Sequence, residues 1–248
     1  MEVRQRWHGV DTLRGWTLVS MIAYHAAWDL VYLCGVDWPW YGSDGAYWWQ
    51  QSICWTFILL SGFCWSVGRH RLKRGLLAFG GGLLVSAVTW LLMPEGRIFF
   101  GVLSLLGTSA LLLLPLERPL RKIPARVGVA VSFGLFMLFG EVNGGWMGFE
   151  GALVAPVPAG LYQNYATAAL GFPQPEFFSV DYFPLLPWFF LFLTGFYLYP
   201  LRREEPSPLR LPVLTWMGRH SLLIYLLHQP VLYVGVLLWQ VVVAQVSK

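Results

Sequence analysis

Seven runs of apolar residues, most of them close to the length of a membrane-crossing helix, dominate this sequence. They lie at roughly 14–34, 48–68, 75–93, 98–116, 127–140, 183–200 and 219–244. A hydrocarbon core of about 30 Å is crossed by about 20 residues of α-helix, so the runs predict an all-α membrane bundle of about seven transmembrane helices. No detachable soluble domain interrupts them, and residues 1–248 read as one integral membrane domain. Composition agrees, with 56% hydrophobic and only 12% charged residues, where a soluble domain carries about 25% charged residues. So little charge cannot clothe a water-facing surface, which excludes a soluble α/β enzyme, a disordered chain and a nucleic-acid binder. The opening MEVRQRWHGVDTLRG is polar and the run behind it long, so no cleavable signal peptide is expected. Cys34, Cys54 and Cys64 are too few for a disulfide framework or a zinc site and are expected to pack or face lipid.

Basic residues set the orientation. With the N-terminus inside, the cytoplasmic segments hold Arg4, Arg6 and Arg14, then Arg69, Arg71, Lys73 and Arg74, then Arg118, Arg121, Lys122 and Arg126, then Arg202, Arg203, Arg210 and Arg219. Only Arg97 and Lys248 of the seventeen are left outside, which predicts N-in and C-out. The apolar stretch 151–172 competes for a span, but Pro156, Pro158, Gln163 and Asn164 interrupt it. Region 141–182 therefore reads as an external loop with an interfacial helix. The other long external loop, DWPWYGSDGAYWW at 37–49, reads as an interfacial aromatic belt or as a platform of rings for a sugar face.

An ionisable side chain inside a span costs roughly 3 kcal/mol, so each one asks for a reason. The first run carries His25 and Asp29 at i, i+4, on one helical face, where the carboxylate is placed to orient the imidazole as a general base. A packing dyad and a proton relay are the other readings of the pair. In the last run His228 lies nine residues beyond Arg219, about 13 Å deeper, at a depth comparable with His25. Pro230 removes a backbone donor and frees the carbonyl of Leu226, which the adjacent Gln229 or a ligand is positioned to satisfy. At the outer edge, Arg97 is expected to pair with Glu95 or face an anionic group, and Asp181 to cap the helix at Pro184 or contact a substrate hydroxyl. Arg14, Arg69, Arg71, Lys73, Arg219 and His220 crowd the cytoplasmic edge. Anionic lipid headgroups account for them, as does a phosphate-rich cosubstrate with a long narrow arm such as coenzyme A. Gly62 in FILLSGF and Gly80, Gly81 and Gly82 read as close helix contacts.

The segments DTLRGWTLVSMIAYHAAWDL, FILLSGF, IFFGVLS, DYFPLLPW and GRHSLLIYLLHQP, in this order from about residue 6 to 235, resemble the short bacterial relatives of the heparan-α-glucosaminide N-acetyltransferase catalytic domain. The chain differs from that pattern at Ser104, where a histidine is expected. The resemblance implies an acetyl-CoA-dependent O- or N-acyltransferase in a bacterial inner membrane. It would move acetyl from cytosolic acetyl-CoA to a sugar amine or hydroxyl on the external side. It further implies a site at His25, Asp29 and Arg14 of the first run and at Arg219, His220, Ser221, His228 and Gln229 of the last. Joined to the reading of the residues above, this gives His25, Asp29 and His228 as candidate catalytic residues, Arg14, Arg69, Arg71, Arg219 and His220 around the cosubstrate, and Gln229, Arg97 and Asp181 toward the acceptor. Membrane lipids and a glycan acceptor are the expected partners, and a homodimer through a glycine-rich span is possible. A proton-coupled transporter or flippase using the same buried His and Asp is the alternative function.

Overall fold

α-Helices occupy all seven apolar runs in the computed structural model, which describes residues 7–202 and 211–246. They are α1 (His8–Tyr32), α2 (Asp44–Trp65), α3 (Arg71–Leu92), α4 (Val102–Leu120), α5 (Ala125–Leu138), α7 (Leu185–Leu198) and α9 (Ser221–Val246); two shorter helices are α6 (Tyr165–Leu170) and α8 (Pro212–Arg219). Of these, α3, α4 and the Ser221–Val242 part of α9 are long and apolar enough to cross a membrane, and α5 and the Leu185–Leu201 segment are shorter apolar helices. Local chemistry sets several boundaries. Pro124 precedes α5, and Pro212 opens α8, where a missing amide hydrogen is harmless. Asn164 and Thr167 close a reciprocal capping box on α6.

The chain forms two compact units. The first takes residues up to Phe57 and from Arg203 onward, and the second takes Ile58–Arg202. In the first unit α1 and α8 approach unusually closely. A Cβ on Gly15 would lie 1.9 Å from the carbonyl oxygen of Leu214, and one on Gly218 would lie 1.9 Å from that of Asp11. Two bare Cα atoms thus bring the backbones together, and the buried hydroxyls of Thr12 and Thr215 join them at 2.8 Å. Deeper along α1, Leu18, Met21 and Ile53 form a buried cluster with Trp49, Phe57, Met217 and Ile224 packed on it.

In the second unit α3 packs on α4 and α5 on α7. Gly62 of α2 lies against the Phe192 carbonyl of α7, and Gly82 against Ser104 of α4. Gly80, read from sequence as another close contact, has nothing within 4 Å of its Cβ position. Ser132 and Thr194 tie α5 to α7 through buried hydroxyls 2.9 Å apart.

One finding corrects the all-α expectation for 141–182. This loop contains an antiparallel hairpin, β1 (Trp146–Phe149) with β2 (Ala152–Pro156), pairing Trp146 with Pro156 and Phe149 with Ala152. Its turn residues Glu150 and Gly151 both take positive φ, the geometry that matches a two-residue turn to strand twist. The helix foreseen in this loop is present, but as the six-residue α6. All three cysteines are half-buried.

Candidate functional site

Helices α1 and α9 of the first unit build the site. The i, i+4 spacing places His25 and Asp29 on one face of α1, and Asp29 is only 1% exposed. From α9, His228 is buried at 9% exposure, and its ring lies 4.9 Å from that of His25, centroid to centroid. The two histidines read from sequence as equally deep are therefore neighbours.

The hydrogen bonds differ from the sequence expectation in two ways. Asp29 Oδ1 accepts from Gln229 Nε2 of α9 at 2.9 Å rather than from His25. Gln229 consequently does not serve the carbonyl freed by Pro230, and α9 continues as helix through that proline. His228 Nδ1 lies 2.5 Å from the carbonyl oxygen of Tyr225. A carbonyl only accepts, so Nδ1 carries the hydrogen and Nε2 of the neutral ring carries the lone pair. His228 is thereby an acceptor at Nε2.

Three buried polar atoms here have no hydrogen-bond partner among the described residues: Asp29 Oδ2, Gln229 Oε1 and His228 Nε2. Once Gln229 Nε2 faces Asp29, all three are acceptors. Leaving a buried polar group unpaired costs about 1–3 kcal/mol, so this constellation is matched to a group that brings hydrogens.

Rings lead outward from the histidines. Tyr24 meets His25 edge-on at 6.0 Å, Trp49 meets Tyr24 at 5.2 Å, and Trp40 and Trp38 follow at 6.0 and 5.9 Å. Trp49 is held by donating to Ser20 Oγ at 2.8 Å, and Tyr41 is buried under the same loop, where burial drives its phenol far above its usual range.

Toward the other end of α1, Asp11 gathers the basic residues. Its carboxylate lies 3.7 Å from Arg14 Nη1 and 3.5 Å from Arg219 Nε, and Arg14 also reaches the Gly218 carbonyl at 3.5 Å. His220 occupies the junction between α8 and α9 and donates from Nδ1 to the Trp216 carbonyl at 2.9 Å. Sequence reasoning missed Asp11; its signal was the i, i+3 spacing to Arg14.

The remaining predicted residues lie in the second unit. Arg71 Nη1 donates to Glu117 at 2.6 Å, and Arg121 holds the other oxygen of that carboxylate at 2.7 Å, so Arg71 is already paired. Arg69 is exposed in the turn before α3. Arg97 covers the ring of Phe178 at 5.4 Å and makes no ion pair with Glu95. Asp181 does not cap α7. Its Oδ2 accepts from Val102 N at 3.3 Å, at the N-terminus of α4, and burial pushes its carboxyl up to about 6.

Apolar helices of membrane-crossing length, with buried Asp29 and His228 and half-buried His25 and Gln229 gathered against each other, define a membrane protein with a polar reaction-like centre. The family model for heparan-alpha-glucosaminide N-acetyltransferase, catalytic, matches residues 6–230, and the chain belongs to this family of membrane acyltransferases. The matched segment includes every residue of the α1–α9 site. Comparison with curated proteins and with solved structures found no match.

Proposed function

We propose that the chain transfers an acetyl group from cytosolic acetyl-CoA to an amine or hydroxyl of a sugar on the external side of a bacterial inner membrane, crossing it seven times with the N-terminus inside. The observation that carries this reading is the trio of partnerless buried acceptors beside the paired histidines. A primary amine supplies several hydrogens from one atom, so the trio favours an amine over a hydroxyl.

His228 Nε2 accepts a proton from the acceptor nitrogen as that nitrogen attacks the thioester carbonyl. Asp29 Oδ2 receives a second N–H and fixes the direction of attack. His25, ring against ring with His228, donates to the carbonyl oxygen as charge builds there. The C–N or C–O bond forms, the C–S bond breaks, and the thiolate leaves with the proton that His228 took. Arg14 and Arg219, which share the Asp11 carboxylate, would hold the phosphates of the cosubstrate, with His220 next to Arg219 in the chain.

Thermal-shift titration of the detergent-solubilised protein with acetyl-CoA tests the reading. Ligand binding to the folded state alone raises the melting temperature with concentration. Such a rise, with appearance of the acetylated amino sugar, supports it; no shift at millimolar acetyl-CoA overturns it.

A further inference from the structure

We infer that Gln229 is a positioning residue: it acts through Asp29, fixing the plane of the carboxylate so that its open oxygen is held toward the acceptor, and does not itself contact the acetyl group. This inference rests on the acyltransferase reading above. The bond from Gln229 Nε2 to Asp29 Oδ1 spans 200 positions in the sequence and joins α1 to α9 inside the site. Asp29 is nearly inaccessible, and Gln229 is its only hydrogen-bonding side chain among the described residues.

The geometry follows from donor arithmetic. An ionised carboxylate has no hydrogen to give, so the amide must turn its nitrogen toward Asp29 and its oxygen away. Oδ1 is then occupied and Oδ2 is left open, as the structure shows. With its nitrogen held against Asp29, Gln229 leaves Oε1 as its unpaired atom, and that oxygen repels rather than stabilises a developing oxyanion. That separates it from the role of a donor to the thioester carbonyl. Without the bond, the carboxylate swings about its broad last torsion and no fixed orientation of its plane is held toward the acceptor. A misdirected contact near the reacting atoms costs turnover of up to about 100-fold even when binding persists.

A double-mutant cycle with an exchange variant tests this, using purified full-length protein, acetyl-CoA and glucosamine. Gln229→Leu is expected to lower kcat by about 10- to 100-fold with the KM for acetyl-CoA within about twofold. In an Asp29→Asn background the same change is expected to alter turnover by less than about threefold, because the group it positions is gone. The exchange Asp29→Asn with Gln229→Glu keeps an amide-to-carboxylate bond between α1 and α9. It is expected to hold the melting temperature near wild type while leaving turnover low, since the charge sits on the wrong helix.

Full loss by Gln229→Leu on top of Asp29→Asn, or wild-type kcat in Gln229→Leu while Asp29→Asn is impaired, overturns the positioning role alone. If residual turnover in the Asp29→Asn background is below detection, the melting temperatures of the exchange variant and the two single variants decide. An exchange variant less stable than both singles contradicts a direct Gln229–Asp29 bond. Wild-type turnover in Asp29→Asn overturns the placing of Asp29 at the reacting centre, whereas no transfer by wild-type protein overturns the acyltransferase reading itself.

Discussion

His228 holds its Nδ1 against the carbonyl oxygen of Tyr225 one turn earlier on α9, which leaves Nε2 buried, unpaired and accepting. His228→Asn keeps an amide donor near the Nδ1 position and removes the Nε2 lone pair. Turnover is expected to fall by about 10²- to 10⁴-fold, the range of a lost general base, with the melting temperature little changed. Paired rate and thermal-melt measurements check this.

The α1–α8 contact predicts a stability pattern. Gly15→Ala and Gly218→Ala each put a methyl group within 1.9 Å of a backbone carbonyl oxygen. Each is expected to destabilise by about 1–3 kcal/mol, because backbone cannot swing aside as a side chain does. Gly80→Ala, with open space around it, is expected to be neutral or slightly stabilising through helix propensity. Detergent thermal melts of the three variants separate the cases.

At the Asp11 cluster, Arg219→Gln is expected to raise the KM for acetyl-CoA several-fold with kcat held, and the effect is expected to shrink as salt screens the charge. Arg71→Gln is expected to lower stability instead, since its guanidinium pairs with Glu117. Kinetics at two ionic strengths, beside melts, distinguish the roles.

Asp181 gives a pH signature. Its folded carboxyl titrates at about 6 against 3.8 for the free group. Between about pH 4 and 6 the folded protein retains a proton that the unfolded chain has lost. Its stabilising contribution is therefore complete below the lower value and is lost as pH rises through the upper one. Asp181→Asn keeps an oxygen to accept from Val102 N and cannot ionise, so its melting temperature is expected to depend less on pH over that window.

Much of the helical framework is legible in the sequence, because seven apolar runs bounded by Pro, Gly and basic residues leave few other ways to satisfy the backbone. A comparable depth for His25 and His228 follows from helix rise counted from Arg14 and Arg219, but that their rings are neighbours shows only in the structure. Bond partners are not. Asp29 meets Gln229 and Asp181 meets Val102 across 200 and 79 positions, and an i, i+4 neighbour such as His25 looks the better candidate when only spacing is known. The hairpin at 146–156 escaped because its strands are short and apolar inside a stretch that resembles a broken span. Glu150-Gly151 was its one turn signal.

The most direct test of the account is the initial rate of acetyl transfer from acetyl-CoA to an amino sugar by wild type and by His25→Ala, Asp29→Asn and His228→Asn proteins, each confirmed folded by thermal melting. The account predicts measurable transfer by wild type and losses of about 100-fold or more in all three variants. Wild-type rates in folded Asp29→Asn or His228→Asn protein would contradict it.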